Sequence, residues 1–241
     1  MEVKTKAIVL RTVKYGDQSL IVDKLTEKHG RVSFIVRIPK TKKGKLRKQF
    51  FNPMTVLEID FDYHQRSRLQ HLRDARIAVP LNSIAMNPSK MAITIFLAEF
   101  LAYVTRDEQG DSALYGYVET GLRWLDAATE DYANFHIVFM IQLSRFAGFW
   151  PNLDDYYHGC VFDMREGRYA SSVPLHTDFL DWRESRFANF LVKLDFYTMR
   201  HLHLNGAQRN QIADIIIGYY RLHIPLMPEL RSLAVLREVF R

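Results

Sequence analysis

Apolar positions recur with two different periods along the 241-residue chain. In the first 80 residues the period is two. Residues 6–14, 19–25 and 31–37 are short runs rich in Val, Ile and Leu. They are separated by the turn signals Tyr15-Gly16-Asp17 and Lys28-His29-Gly30. Residues 55–63 alternate, with Leu57, Ile59, Phe61 and Tyr63 on one face and Val56, Glu58, Asp60 and Asp62 on the other. Residues 69–77 predict a fifth strand. Five short strands with a long, charged central connection fit a small closed barrel of the OB type, and the pattern alone fits an SH3-like barrel equally well.

From residue 81 onward the period is helical. Asn87-Pro88-Ser89 is a start signal, followed by Met91, Ile95, Leu97, Leu101 and Val104. That stretch is apolar on most sides, which predicts the central, buried helix of a bundle. Further helices are predicted over 115–128, 135–149, 187–204, 208–222 and 229–240, with Trp150-Pro151 stopping the second. Residues 159–175 are turn-rich, and the region near 156–177 is predicted to be a hairpin-like insertion. The expected architecture is α+β: an OB-fold barrel over 1–80, then a mainly α-helical domain over 81–241.

Composition adds little until charge is divided along the chain. No apolar run approaches the ~20 residues of a membrane helix, no signal peptide is visible, and the one cysteine, Cys160, fits a reducing, cytoplasmic setting. The net charge is +6. Residues 1–80 hold 18 Lys/Arg against 8 Asp/Glu, a net +10, and the remainder holds 15 against 19, a net −4. A basic first third on an acidic remainder points to a polyanion-binding module joined to something with another task.

The surplus is concentrated. From Arg37 to Lys48, seven of twelve residues are cationic: Arg37, Lys40, Lys42, Lys43, Lys45, Arg47 and Lys48. None is acidic. Burying such a run unpaired would cost several kcal/mol per charge. It is therefore solvated, paired with distant acids, or bound to a polyanion such as nucleic acid. Phe50 and Phe51 follow and Tyr15 lies in the first turn. Aromatics beside cations can stack bases, although a Phe entering a strand is ordinarily core.

Other chemistry is weakly supported. Glu58, Asp60 and Asp62 could hold a metal for phosphodiester hydrolysis, but they read more simply as a polar face balancing Arg66 or Arg68. Phosphate-binding loop, dinucleotide-binding and zinc-protease motifs are missing, and no catalytic or metal-binding residue is assigned. Cys160 with His158 or His176 reads as structural. His201 and His203, two residues apart, cannot share a helix face. Arg123, Arg145, Arg186, Arg200, Arg209 and Arg221 read as surface ion pairs.

Several stretches resemble the bacterial RecO recombination mediators. They are residues 6–20, residues 25–33, the basic run, Phe51-Asn52-Pro53 leading into the 55–63 strand, and residues 230–236. The resemblance implies an N-terminal OB-fold and a helical C-terminal domain. It implies binding of single- and double-stranded DNA, annealing of complementary strands and help in placing RecA on DNA coated with single-stranded DNA-binding protein. The partners it implies are RecR and the C-terminal tail of that coating protein, with no membrane, no cofactor and no covalent catalysis. Many such proteins carry a four-cysteine zinc module, whereas this chain has only Cys160, His158 and His176 in the corresponding region, too few for a tetrahedral site. Ile38-Pro39 also stands where a Gly commonly follows the residue at position 37, implying a stiffer loop. The charge pattern alone leaves open an RNA- or ribosome-associated OB protein, or an adaptor that docks an acidic tail.

Overall fold

The computed structural model describes residues 1–39, 46–106 and 109–240. The expected strands are β1 (Glu2–Tyr15), β2 (Ser19–Thr26), β3 (Gly30–Arg37), β4 (Val56–Asp62) and β5 (Gln70–Val79). They form a closed barrel in the order β1-β2-β3-β5-β4, with β1 pairing antiparallel to both β2 and β4, and β3 parallel to β5. This is the OB arrangement, and it removes the SH3-like alternative. Inward positions Val3, Ala7, Val9, Val22, Phe34, Leu57, Ile59 and Phe61 fill the interior. Gly30 takes φ +60° at the β2–β3 turn, a conformation that glycine adopts without strain.

Residues 7–10 of β1 do not alternate, because both faces are covered. Ala7 and Val9 point into the barrel. Ile8 and Leu10, at most 2% exposed, face outward and are also buried. Helix α2 (Pro88–Val104) packs on this strand. Asn87 caps α2 through its side chain, accepting from the Ser89 and Lys90 amides, as the Asn-Pro-Ser signal predicts. Arg31 of β3 donates to the Ala102 carbonyl at 2.5 Å, satisfying one of the open acceptors at the far end of α2. Lys6 of β1 pairs with Glu119 of α3 (Ser112–Ala127) at 3.1 Å, and Arg123 closes on the same carboxylate. Burial raises the pKa of Glu119, but the bonds from Arg123 and Lys6 override it and hold the group below its ordinary value.

Contacts gather in two compact units. The first comprises Met1–Ala127 and Leu230–Val239, so the barrel, α1 (Asn82–Met86), α2, α3 and the returning α7 (Ser232–Val239) belong together. Glu99 of α2 accepts from the amides of Arg231 and Ser232 and from the Ser232 hydroxyl, capping α7 from another helix.

The second unit, Ala128–Glu229 with Phe240, contains α4 (Phe135–Leu143), α5 (Trp182–Leu191), α6 (Gly206–His223) and a small sheet. That sheet, ordered β7-β6-β8, is built from β6 (Val161–Asp163), β7 (Arg168–Ala170) and β8 (Phe179–Leu180). The helix enclosed on nearly all sides is α4, whereas α2 leaves Met91 and Ile95 exposed at 42% and 38%. Two predicted helices are shorter than expected. The segment over 135–149 ends at Leu143, and that over 187–204 is α-helical only to Leu191, with a separate 3-10 turn at Thr198–His201. Val192, Leu194 and Phe196 beyond Leu191 remain buried without α-helical backbone, and Gln142 donates to the carbonyls of Val192 and Leu194 across the unit. The hairpin is held by Phe162, Tyr156 and Tyr169, while Tyr157 is exposed. Gly167 at the β6–β7 turn has φ +65°, and a Cβ there would stand 2.9 Å from the Tyr219 hydroxyl.

One core position departs from the binary pattern. Lys24 of β2 is fully buried and points into the barrel, its Nζ 4.5 Å from the Phe34 ring centre and 5.0 Å from that of Phe51. Among the described residues the amine has no hydrogen-bond partner. The two rings offset part of that cost through cation–π attraction. Desolvation lowers its pKa to about 7. The unfolded chain therefore binds the extra proton between about pH 7 and 10.5, and this group makes stability rise with pH across that window, by up to about 1.4 kcal/mol per unit. Lys24→Met is expected to raise the melting temperature, with a larger gain at pH 6.5 than at pH 10. Equal gains at both pH values would contradict an unpaired buried amine. Separately, Glu99→Gln should cost about 1–2 kcal/mol in urea unfolding, through loss of the charged cap on α7.

Candidate nucleic-acid interface

The strand pairing places Tyr15, Ser19 and Arg37 in one row across β1, β2 and β3. Ile38 extends the row by donating to the Gln18 carbonyl at 2.8 Å. This row is one end of the barrel, and it carries the start of the basic run. Arg37 is exposed there, and so are Arg47 and Lys48 where the chain re-enters through a 3-10 turn, Lys48–Phe51. Lys40, Lys42, Lys43 and Lys45 lie outside the described residues. Two cations that sequence reasoning passed over, Arg11 and Lys14, are exposed on the same end of β1. Their signal was present in the sequence, since both lie within four residues of the Tyr15 turn.

The aromatic neighbours separate clearly. Phe51 is 2% exposed and belongs to the barrel interior; its carbonyl accepts from the Thr12 hydroxyl at 2.6 Å. It is not available to stack a base. Phe50 packs partly against the same core. Tyr15 is 56% exposed and is the aromatic that this end of the barrel offers to a ligand.

The carboxylates of β4 are organised by ion pairs. Glu58 accepts Arg76 at 2.7 Å, Asp62 accepts Arg73 at 2.5 Å, and Asp60 lies 4.0 Å from Lys4. The balancing arginines are therefore those of β5, not Arg66 or Arg68. Among the described residues no cluster of three His, Cys, Asp or Glu is arranged to hold a metal ion. Cys160 is buried against Phe162, Tyr169 and Leu180. His176 pairs with Asp163 at 3.3 Å, and His158 lies beside Trp182. These three residues do not converge on one centre.

Arg209 departs from the surface-ion-pair expectation. It is 9% exposed, bonds Asn134, Leu204 and Phe240, and lies over the Phe240 ring. Beside it, burial together with the Arg209 charge lowers the pKa of His136 to about 3, so that imidazole is neutral.

The second unit contains a cavity of about 440 Å³ between α5 and α6. Phe187 and Leu191 of α5 face Ile212, Ile215 and Tyr219 of α6 across it, at helical spacing on each side. Arg183, Glu184, His203 and Gln211 add polar groups to this lining, and Arg183 and His203 are exposed.

Barrel topology, a cationic end bearing an exposed tyrosine, and a helical continuation define an OB-fold protein of the nucleic-acid-handling kind. Two family models match, recombination protein O N terminal over residues 1–81 and recombination protein O C terminal over residues 86–234. The chain belongs to the recombination protein O family. It is 39% identical over 237 residues to the DNA repair protein RecO of Phocaeicola vulgatus and 40% over 238 residues to that of Bacteroides fragilis, covering 98% of each chain. It is also 30% identical over 249 residues to the DNA repair protein RecO of Porphyromonas gingivalis, covering all of each. No helix among the described residues is long and apolar enough to cross a membrane.

Proposed function

We propose that the protein is a non-catalytic recombination mediator in DNA repair. It binds single- and double-stranded DNA through the barrel over residues 1–80, anneals complementary strands, and assists RecA loading onto DNA coated by single-stranded DNA-binding protein, acting with RecR. The observation that carries the reading is the seven-cation run from Arg37 to Lys48, whose flanks stand at the barrel end that also presents Tyr15. The mechanism is electrostatic bridging. Cations of this end neutralise phosphates, so two complementary strands approach against less repulsion. Lysines give mobile contacts without base preference, and Arg37 and Arg47 add bidentate ones. Tyr15 supplies a face for an unpaired base.

Contacts to five phosphates of a single strand would give a log–log salt slope of about −3.5. Changing Lys42, Lys43, Arg47 and Lys48 together to Ala is expected to reduce the slope by about 2.8, read by fluorescence anisotropy across a salt series. Unchanged affinity and slope would remove the reading. Competition with RNA of identical sequence separates it from an RNA-binding role.

The cavity of the second unit supports docking of the acidic C-terminal tail of the single-stranded DNA-binding protein. Its apolar walls accept the tail's apolar side chains, and the guanidinium of Arg183 meets the acids. Arg183→Glu is expected to weaken binding of a tail peptide at least tenfold while leaving single-strand affinity unchanged. An unaltered peptide affinity would place the tail elsewhere.

A further inference from the structure

The buried Lys24 leaves one requirement open. Among the described residues its amine has no hydrogen-bond partner. The Phe34 and Phe51 rings, 4.5 and 5.0 Å away, offset part of its desolvation. They supply no oxygen for the three N–H donors of an ammonium group. No carboxylate takes the place of water either. The ladders set Lys24 beside Val9 of β1 and Val32 of β3, and the barrel-facing residues of the neighbouring elements are apolar. The titratable groups on those elements are engaged or face outward. Asp23 is held by Arg31 and Ser33, Glu58 by Arg76 and Asp60 by Lys4, while Arg11 and Lys48 are exposed. Tyr63 packs partly against the same core, with its ring stacked on His29.

The two rings that enclose the amine are held very differently. Phe34 lies on β3, paired with Val22 of β2 on one side and with Gln70 of β5 on the other. Phe51 ends the 3-10 turn Lys48–Phe51, which belongs to no ladder. That turn is fastened by the Phe50 amide donating to the Arg47 carbonyl at 3.0 Å and by the Thr12 hydroxyl donating to the Phe51 carbonyl. The chain leaving it is strained. Met54, 1% exposed, has φ +62°, a left-handed conformation unfavourable for any residue with a Cβ. Its amide is nevertheless tied to the Val9 carbonyl at 2.7 Å, on the rung where Val9 stands opposite Lys24. The part of the wall over the amine that can yield is therefore the turn, not the strand.

We propose that the Lys48–Phe51 turn is a proton-controlled latch on the barrel: protonation of Lys24 unseats Phe51 and admits water to the amine, and loss of the proton seats the ring again. The direction follows from burial. With the turn seated, desolvation holds the amine at a pKa of about 7, whereas a solvated lysine titrates near 10.5. Opening therefore takes up a proton between these values. The seated turn gains stability as pH rises through that window, and the response levels off below about pH 7. Lys48 is part of the turn and Arg47 leads into it. The latch thus governs how one flank of the basic run is presented, and that consequence alone rests on reading the run as a DNA contact.

The test is hydrogen–deuterium exchange on the full chain without DNA, read by mass spectrometry for peptides over residues 49–55 and, as reference, for β4. Rates are corrected for the intrinsic pH dependence of amide exchange. The opening constant of the wild-type turn is expected to be far above that of β4, and about 50-fold larger at pH 7 than at pH 9. Lys24→Met should keep the turn seated and abolish that ratio. Thr12→Val, which deletes the bond to the Phe51 carbonyl, should raise opening several-fold at both pH values and leave the ratio unchanged. The latch is overturned if Lys24→Met keeps the wild-type ratio, or if the turn opens only together with β4. Should the methionine variant not fold, a wild-type turn with the same opening constant at both pH values overturns the latch, and a 50-fold change above the β4 background supports it. No nucleic acid enters the experiment, so its failure leaves the role of the basic run to its own salt-series test.

Discussion

The architecture depends on β1 being covered on both faces. Its fourteen residues pair with β2 along one edge and β4 along the other, which closes the barrel. Ala7 and Val9 then face the interior, while Ile8 and Leu10 require a cover outside, which α2 supplies. Closure is completed by only two residue pairs between β3 and β5, Phe34 with Gln70 and Ile35 with His71. The exposed Arg37 and Arg66 lie where strands are joined.

Much of this was legible in the chain. Strict alternation in β4 and the Gly30 turn identified the strands, because each inward position had to be apolar and each outward one could be polar. The same rule could not reveal Lys24, since a lysine in an alternating strand reads as outward; only the rings of Phe34 and Phe51 make the inward placement tolerable. Helix ends were less legible. Beyond Leu191 the sequence remains apolar because Val192, Leu194 and Phe196 are still core, and beyond Leu143 Phe149 packs partly against a second cluster, and burial says nothing about backbone state. Residues 7–10 carried their own signal, a continuous apolar run in a barrel strand, which means cover on both sides.

The candidate site was legible as charge and obscure as geometry. Composition located the surplus of cations but could not separate paired from unpaired ones. Arg66 and Arg68 are nearer in sequence to Asp62 and Glu58 than Arg76 is. Yet register brings Arg76 directly opposite Glu58, and Asp62 reaches Arg73 across the same ladder. Cross-strand neighbours take the carboxylates, and the loop arginines are left over.

That division follows from sheet geometry. Opposite charges facing each other on adjacent strands satisfy one another at little entropic cost, because both backbones are already fixed. A guanidinium on a loop would have to order its own side chain to reach the same carboxylate, for a gain under about 1 kcal/mol at an exposed site. The outer face of β4 and β5 therefore becomes nearly neutral, and the positive potential of the first 80 residues is expressed at the strand connections. Unpaired guanidinium groups are thus displayed at a strand connection, at Arg66 and Arg68, and paired ones on the β4–β5 face, at Arg73 and Arg76.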